Sequence, residues 1–308
     1  MKNLINLRTL NTKKVIFIVG PTAIGKTRVS IELAKTFNTE IISCDSRQFY
    51  KELEIGSAPP SKKELSEAKH HFIHNLSVTK DYNAGQFEID AIKLIEKLHQ
   101  TNDTIIIVGG SGLYVDAICK GFDALPEISE QTREKVTFEY QRKGLDWLQE
   151  QVKNIDPELY SNYDTNNPQR LLRVLEVFQE TGKKFSSFKS NTIKVRPFEI
   201  IKIGLNIERS MLYNHINKRV DIMMEDGLLE EVSTLLKFQQ RNALQTVGYK
   251  EIFSFLNNEC TLKKAVENIK QNTRRFAKRQ LTWFRKDKGI KWFEPHQIIE
   301  IKKLISEL

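Results

Sequence analysis

The chain has 308 residues, 40% of them hydrophobic and 28% charged, with a formal net charge of +9, which is ordinary for a soluble globular protein of one large or two modest domains. Its longest apolar runs, Val15 to Val19 and Thr104 to Val108, fall far short of the ~20 residues that a membrane span requires, and residues 1–14 lack the apolar core of a signal peptide, so a cytoplasmic protein with no membrane contact is expected. Three scattered cysteines, Cys44, Cys119 and Cys260, show no CxxC spacing; they suggest neither a disulfide framework nor a zinc site and read as buried free thiols.

In chain order, Val15 to Val19 is a short β-branched run that stops at glycine, as a buried parallel strand does. The motif GPTAIGKT at 20–27 follows directly, and after it Val29, Ile31, Leu33, Ala34 and Phe37 suit a packed helix. Thr39 to Ser43 and Thr104 to Val108 read as further strands, with a helix over Phe87 to Leu98 between them. This alternation predicts an α/β fold with a doubly wound parallel sheet of the phosphate-loop type. From Pro126 to Asn191 the texture is amphipathic helix, interrupted at Asp156-Pro157 and Asn167-Pro168, and Phe198 to Leu205 returns to strand. The predicted organisation is therefore a catalytic core of residues 13–125 and 197–308, interrupted by a helical insertion at 126–196. The rest is predicted helical, over Leu212–Met224, Leu228–Phe238, Lys250–Leu256 and Leu262–Arg285.

The motif at 20–27 matches GxxxxGK[ST] in full and sits between strand and helix as its chemistry demands. Glycines let backbone N–H groups turn inward on phosphate oxygens, the helix start adds partial positive charge, Lys26 supplies a cation and Thr27 a hydroxyl suited to magnesium. The motif leaves open which phosphate compound binds. Asp45-Ser46-Arg47-Gln48 and Gly109-Gly-Ser-Gly-Leu-Tyr114 each leave a strand at the same carboxyl rim. Asp45 there suits a base or a magnesium ligand, or else a cap on a following helix; Ser111 offers a hydroxyl. His70, His71 and His74 lack the spacing of a zinc site.

Between Lys263 and Lys291 there are eleven Lys or Arg against two acids, Glu267 and Asp287, while the rest of the chain is neutral. At about 100° per residue, Leu262, Val266, Ile269, Phe276 and Phe284 form one stripe, and Arg274, Arg275, Lys278, Arg279, Arg285 and Lys286 lie on the other side, with Trp283 at the border. The expected arrangement is an apolar face docked on the body and a basic face, with Arg274 and Lys278, tracking a phosphate backbone.

Together these segments resemble the bacterial tRNA dimethylallyltransferases along essentially the whole chain, through GPTAIGKT at 20–27, DSRQFYKELEIGSA at 45–58, HHFI at 70–73, GGSGLY at 109–114, NPQRLLRVLEV at 167–177, VGYKE at 247–251 and TRRFAKRQLTWFR at 273–285. The resemblance implies that Gly20, Pro21, Thr22, Ala23, Ile24, Gly25, Lys26 and Thr27 hold the diphosphate of dimethylallyl diphosphate rather than ATP, with Mg2+ at the Thr27 hydroxyl. It makes Asp45 the general base on the adenine N6 amine, Ser111 the counterpart of a family threonine beside the reaction channel, and Arg219 an arginine assisting the diphosphate. It assigns contacts with the tRNA anticodon stem-loop to Asp45, Ser46, Arg47, Gln48 and Ser111, to Arg133, Gln169, Arg170, Leu171, Leu172 and Arg173, and to Gln245, Thr246, Val247, Gly248, Tyr249 and Lys250. Ser111 in place of threonine keeps the hydroxyl, whereas Ala58-Pro59-Pro60 lacks a family lysine and His74 stands where aspartate is common. A monomer is expected.

Three other readings compete: a kinase using the same loop for ATP, a non-catalytic RNA-binding protein, and a prenyltransferase acting on free adenine nucleotides. The kinase gives no reason for the basic helix, the basic helix and the QRLLR segment favour tRNA over free nucleotides, and the effect of Asp45→Ala separates the enzyme from a non-catalytic RNA-binding protein.

Overall fold

The structure is a computed structural model and describes residues 13–190 and 192–307. These fall into two compact units, one formed by the described residues up to Lys120 together with those from Val195 onward, the other by Gly121–Lys194.

In the first unit, the chain runs β1 (Lys14–Val19), α1 (Lys26–Thr36), β2 (Ile41–Ser43), α2 (Lys62–Glu67), β3 (His70–His71), α3 (Ala84–Leu98), β4 (Thr104–Gly109) and α4 (Gly112–Lys120). The second unit contributes α5 (Glu130–Ile155), α6 (Pro157–Ser161) and α7 (Pro168–Thr181). The first unit then resumes with β5 (Glu199–Leu205), α8 (Arg209–Glu225), α9 (Leu228–Thr234), α10 (Tyr249–Leu256), α11 (Leu262–Phe284), β6 (Lys291–Phe293) and α12 (Ile298–Glu307). The strands form one sheet in the order β3-β2-β4-β1-β5-β6, every pairing parallel.

Alternation along the strands sorts the core. Val15, Phe17 and Val19 join Ile105 and Ile107 on one face, beneath Phe87, Ala91 and Ile95 of α3 and Val115 and Ile118 of α4. Ile16 and Ile18 join Ile106 and Val108 on the other, against Val29 and Leu33 of α1 and Ile301 and Ile305 of α12. Both faces are covered, which is why these strands read as unbroken apolar runs rather than alternating ones. Because β1 lies between β4 and β5, and β2 beside β4, the segments leaving β1, β2 and β4 emerge side by side at one carboxyl edge.

The sequence reading missed the edge strands β3 and β6, whose two and three residues are too short for periodicity, and the helices α2, α4 and α12. The helix expected over Leu228–Phe238 stops at Thr234 and gives way to a 3-10 turn, Leu236–Phe238.

The second unit is helical around its own core, in which Leu148, Val152, Leu171, Val174, Leu175 and Val177 pack together. The two X-Pro steps are helix starts. Asp156 and Asn167 cap α6 and α7, accepting the N–H of Leu159 and of Arg170 at 3.3 Å each, and proline opens both helices. The fully buried Asp156 carboxylate also accepts the Ser186 N–H (2.8 Å) and hydroxyl (3.0 Å).

Where the chain re-enters the first unit, Arg196 donates to the Glu88 carboxylate of α3 (2.9 Å) and to the carbonyls of Ile118 (2.7 Å) and Ala117 (2.9 Å) at the end of α4. Both charged side chains are about nine-tenths buried, at 10% and 8% exposure. Arg196→Ala withdraws the opposite charge from a buried carboxylate and leaves the carbonyls of Ala117 and Ile118 without their donor, so it is expected to cost about 3–5 kcal/mol of unfolding free energy in urea titration; a loss below about 1 kcal/mol would contradict this role.

Candidate active site

The turn after β1 places the motif residues over the start of α1. Gly25 precedes the helix with φ 93°, a left-handed conformation that glycine adopts freely, so the chain reverses tightly into α1. The first N–H groups of the helix have no intrahelical acceptor and carry its positive dipole end. Lys26 folds back, its ammonium donating to the carbonyls of Gly20 (3.1 Å) and Pro21 (2.7 Å). Burial lowers the Lys26 pKa to about 8, with the charge of Asp45 opposing that fall and Arg219 adding to it. Arg219, on α8, donates to the Thr22 hydroxyl at 3.2 Å. Its pKa too is lowered by burial, against the favourable field of Asp45.

The segment after β2 forms a turn rather than a capped helix: the Asp45 carboxylate accepts the N–H of Arg47 (3.0 Å), and the Ser43 hydroxyl accepts the N–H of Asp45 (3.3 Å). Ser111, in the turn after β4, accepts the N–H of Ser46 at 3.2 Å, which ties the two turns together. Gln48 is turned inward, accepting from the Ser43 hydroxyl (3.1 Å) and donating to the Ala58 carbonyl (3.0 Å). Neighbouring Cys44 is fully buried, and desolvation aided by the Asp45 charge pushes its thiol pKa well up, so it remains a thiol with no nucleophilic role.

Two further groups come from α11, and the sequence reading gave neither a role at the site. Gln280, 6% exposed, accepts the Thr22 N–H through Oε1 (2.9 Å) and donates to the Gly110 carbonyl through Nε2 (2.9 Å). Trp283 lies against the same turn. A β-carbon on Gly110 would come within 2.2 Å of Gln280 Nε2, and one on Gly112 within 2.3 Å of the Trp283 ring. The glycine cluster thus serves the approach of a helix, and only by starting from the structure is its partner identifiable.

Two cavities open here. The smaller, about 310 Å³, is lined by Ala23 to Thr27 together with Ser43, Glu64, His70 and His215; the larger, about 700 Å³, has Ser111, Tyr114, Ile216, Val220, Met223, Ile269, Phe276 and Trp283 among its walls. Thr22, Asp45 and Arg219 line both. An anion seated on the loop and an apolar or aromatic group in the larger space would therefore meet beside one carboxylate and one guanidinium. For a cation, Thr27 and Asp45 supply hard oxygen donors at the smaller cavity, which suits magnesium held largely by water and a ligand's phosphates; among the described residues no cluster of three or more His, Cys, Asp or Glu forms a cage.

The structure gathers Thr22, Lys26, Thr27, Asp45, Ser46, Arg47, Ser111, Arg219, Gln245, Thr246, Val247, Gly248 and Lys250 at these two cavities. Other expectations require correction. Tyr249, expected against tRNA, is fully buried and donates its hydroxyl to Glu231 (2.6 Å), the carboxylate that also accepts the N–H groups of Ile55 and Gly56. In the second unit, Leu171 and Leu172 are buried in the helical core at 0% and 6% exposure, so their side chains are not available to tRNA. Around them Gln169, Arg170 and Arg133 are exposed, and half-buried Arg173 donates to the Pro126 carbonyl at 3.3 Å.

The basic helix also differs from expectation. Phe276, placed on the docked stripe, is 38% exposed and faces the larger cavity, as does Trp283, and Arg279 stands beside it with its guanidinium 5.8 Å from the Phe276 ring. Arg274 is held by Asn217 (2.6 Å) and stacks on Tyr213 (5.8 Å), whereas Lys278 is exposed. The basic residues thus divide, with Arg279 at the cavity and Arg274 bound to α8.

An anion on the loop favours the ammonium form of Lys26, so binding draws the lysine back toward its ordinary range. The dissociation constant of inorganic pyrophosphate is therefore expected to rise as pH increases through the Lys26 pKa of about 8, with proton uptake on binding above it. Lys26→Met should abolish that pH dependence. Titration calorimetry in two buffers of different ionisation enthalpy measures both quantities, and affinity independent of pH in the native protein would contradict the assignment.

A family profile described as "IPP transferase" matches residues 48–287. A tRNA dimethylallyltransferase of Flavobacterium johnsoniae is 52% identical over 288 residues, spanning 92% of this chain and 93% of the relative. A second, from Christiangramia forsetii, is 51% identical over 280 residues, spanning 91% and 93%. Among solved structures, the full-length tRNA isopentenylpyrophosphate transferase of Bacillus halodurans superimposes with a TM-score of 0.71 at 34% identity, covering 96% of each chain. A eukaryotic dimethylallyltransferase acting on tRNA superimposes with a TM-score of 0.74 at 28% identity, covering 89% of this chain and 70% of that one. A parallel sheet with a phosphate-type loop at its carboxyl edge, joined to identity of this extent over nearly the whole length, places the chain in the IPP transferase family.

Proposed function

We propose that this protein transfers a dimethylallyl group from dimethylallyl diphosphate to N6 of the adenosine that directly follows the anticodon in tRNA, releasing diphosphate. The observation that carries the reading is the meeting of the two cavities at Thr22, Asp45 and Arg219. Bond exchange between an anionic leaving group and a base requires such a junction, and the relatives named tRNA dimethylallyltransferase supply the substrate class.

On this reading the diphosphate sits on the loop of Gly20 to Thr27, with Lys26 and Arg219 opposing the charge that grows on it as the allylic C–O bond breaks. Magnesium, held by Thr27 with the substrate's own oxygens, would supply further neutralisation of the leaving group. The branched five-carbon chain and the adenine ring share the larger cavity, whose Ile216, Val220, Ile269, Phe276 and Trp283 exclude water from a cationic allylic carbon. Adenine N6 is a weak nucleophile because its lone pair is delocalised into the ring. Asp45 accepts the N6 proton as the C–N bond forms.

The target base must leave its stack to enter this space, which a loop adenosine does at low cost. Arg279 at the cavity wall and the exposed Arg275, Lys278, Arg285 and Lys286 along α11 and just beyond it provide phosphate contacts for the anticodon stem-loop, and exposed Gln169, Arg170 and Arg133 provide more on the second unit. Among the described residues no helix is long and apolar enough to cross a membrane. We read the protein as a cytoplasmic monomer working on tRNA.

Single-turnover transfer of a radiolabelled prenyl group to unmodified tRNA tests the reading. The native protein should transfer label, and Asp45→Ala should slow transfer by ~10²-fold or more while leaving tRNA affinity nearly unchanged. Transfer by Asp45→Ala at the native rate would remove Asp45 as the base, and no transfer by the native protein would overturn the function.

A further inference from the structure

Among the walls of the larger cavity is a buried carboxamide, that of Gln280, whose two ends are both engaged by the protein itself. Gln280 reaches from α11, across 258 positions of sequence, to accept the N–H of Thr22, and its other end reaches across 170 to donate to the carbonyl of Gly110. Both ends of a buried carboxamide are thereby satisfied, and the glycine at 110 is needed because a β-carbon there would lie 2.2 Å from Gln280 Nε2.

Thr22 is held a second time, by Arg219 on its hydroxyl at 3.2 Å, so its N–H side leads to the leaving-group end of the site. Gly110 directly precedes Ser111, whose hydroxyl accepts the N–H of Ser46 at 3.2 Å, and Ser46 directly follows Asp45. One side chain therefore spans the gap between the diphosphate loop and the turn that is hydrogen-bonded to the segment carrying the base.

We propose that Gln280 is a positioning residue that sets the separation between the departing diphosphate and the Asp45 carboxylate. The proposal rests on the function proposed above. It acts through hydrogen bonds at both amide ends, so its removal should affect the chemical step more than the capture of either substrate. A misplacement of about 1 Å between reacting groups can cost ~10²-fold in rate.

A buried glutamine can also merely anchor a helix, and the pH dependence of a near-isosteric variant separates the two roles. In Gln280→Glu the ionised carboxylate still accepts from Thr22 but presents a lone pair, not a donor, to the Gly110 carbonyl. Protonation restores an O–H donor in that place and keeps an acceptor for Thr22. The variant should thus be strongly impaired at alkaline pH and recover as pH falls, so that the ratio of its rate to that of the native enzyme, which lacks this titrating group, rises toward acid. Gln280→Leu should be slow at every pH.

The experiment is single-turnover prenyl transfer to tRNA by native protein, Gln280→Glu and Gln280→Leu across pH ~6 to ~9, beside KM for both substrates and thermal melting of each protein. The expected result is a kcat loss of ~10²-fold in Gln280→Leu with KM values within about threefold of native, and a ratio of Gln280→Glu to native rates that rises toward acid. A Gln280→Glu profile parallel to the native one, or native kcat in Gln280→Leu, would overturn the positioning role. Should the variants melt early, the ratio of Gln280→Glu to native rates below their melting range still decides, because helix anchoring alone predicts no acid recovery of kcat at saturating substrate. Native protein active beside an unaffected variant sinks this inference alone, while inactive native protein sinks the function on which it rests.

Discussion

The close seating of α11 on the turn at Gly110 to Gly112 is the contact on which the site depends. Only backbone without side chains lets Gln280 and Trp283 come so near, and through them the helix touches both the phosphate-type loop and the turn bonded to the Asp45 segment. The parallel sheet brings three carboxyl ends to one edge, but that edge alone gives three separate turns. The helix from the far end of the chain joins two of them and closes the larger cavity.

Electrostatics explains why the arrangement is poised rather than self-satisfied. Lys26 and Arg219 are both buried enough to lower their pKa values, and Asp45 compensates each only in part. Lys26, Arg28 and Arg219 against the carboxylates of Asp45 and Glu64 leave the smaller cavity short of negative charge, which a diphosphate provides. Lys26 meanwhile rests on the carbonyls of Gly20 and Pro21, so its ammonium is hydrogen-bonded before any anion arrives. The same imbalance serves the reaction, because interactions that grow with the charge on the departing diphosphate lower the barrier, whereas interactions already complete in the free protein would not.

What could be read from the amino acids alone follows the range of the interactions. The loop at 20–27 was legible because its chemistry needs contiguous residues between a strand and a helix, and Asp45 and Ser111 were legible because each follows a strand at the same rim. Gln280 lies inside the segment 273–285 that carries the resemblance, but its role was not legible, since its partners are 258 and 170 positions away. Carrying a contact over as a contiguous run also swept in Leu171, Leu172 and Tyr249, whose side chains face the core that supports their exposed neighbours. Helical periodicity placed Phe276 inward because it is apolar; the structure puts it at a cavity, where apolar character serves a ligand instead. The two-residue β3 and three-residue β6 carry too little pattern to be read without their sheet neighbours.

The most direct test of the central claim is a mass spectrum of nucleosides from unmodified tRNA incubated with the protein, magnesium and dimethylallyl diphosphate, beside a parallel incubation with ATP in place of the prenyl donor. Isopentenyladenosine formed only with the prenyl donor is the predicted result. Unmodified adenosine with the donor, accompanied by turnover of ATP in the parallel incubation, would contradict it and assign the loop to a nucleotide triphosphate.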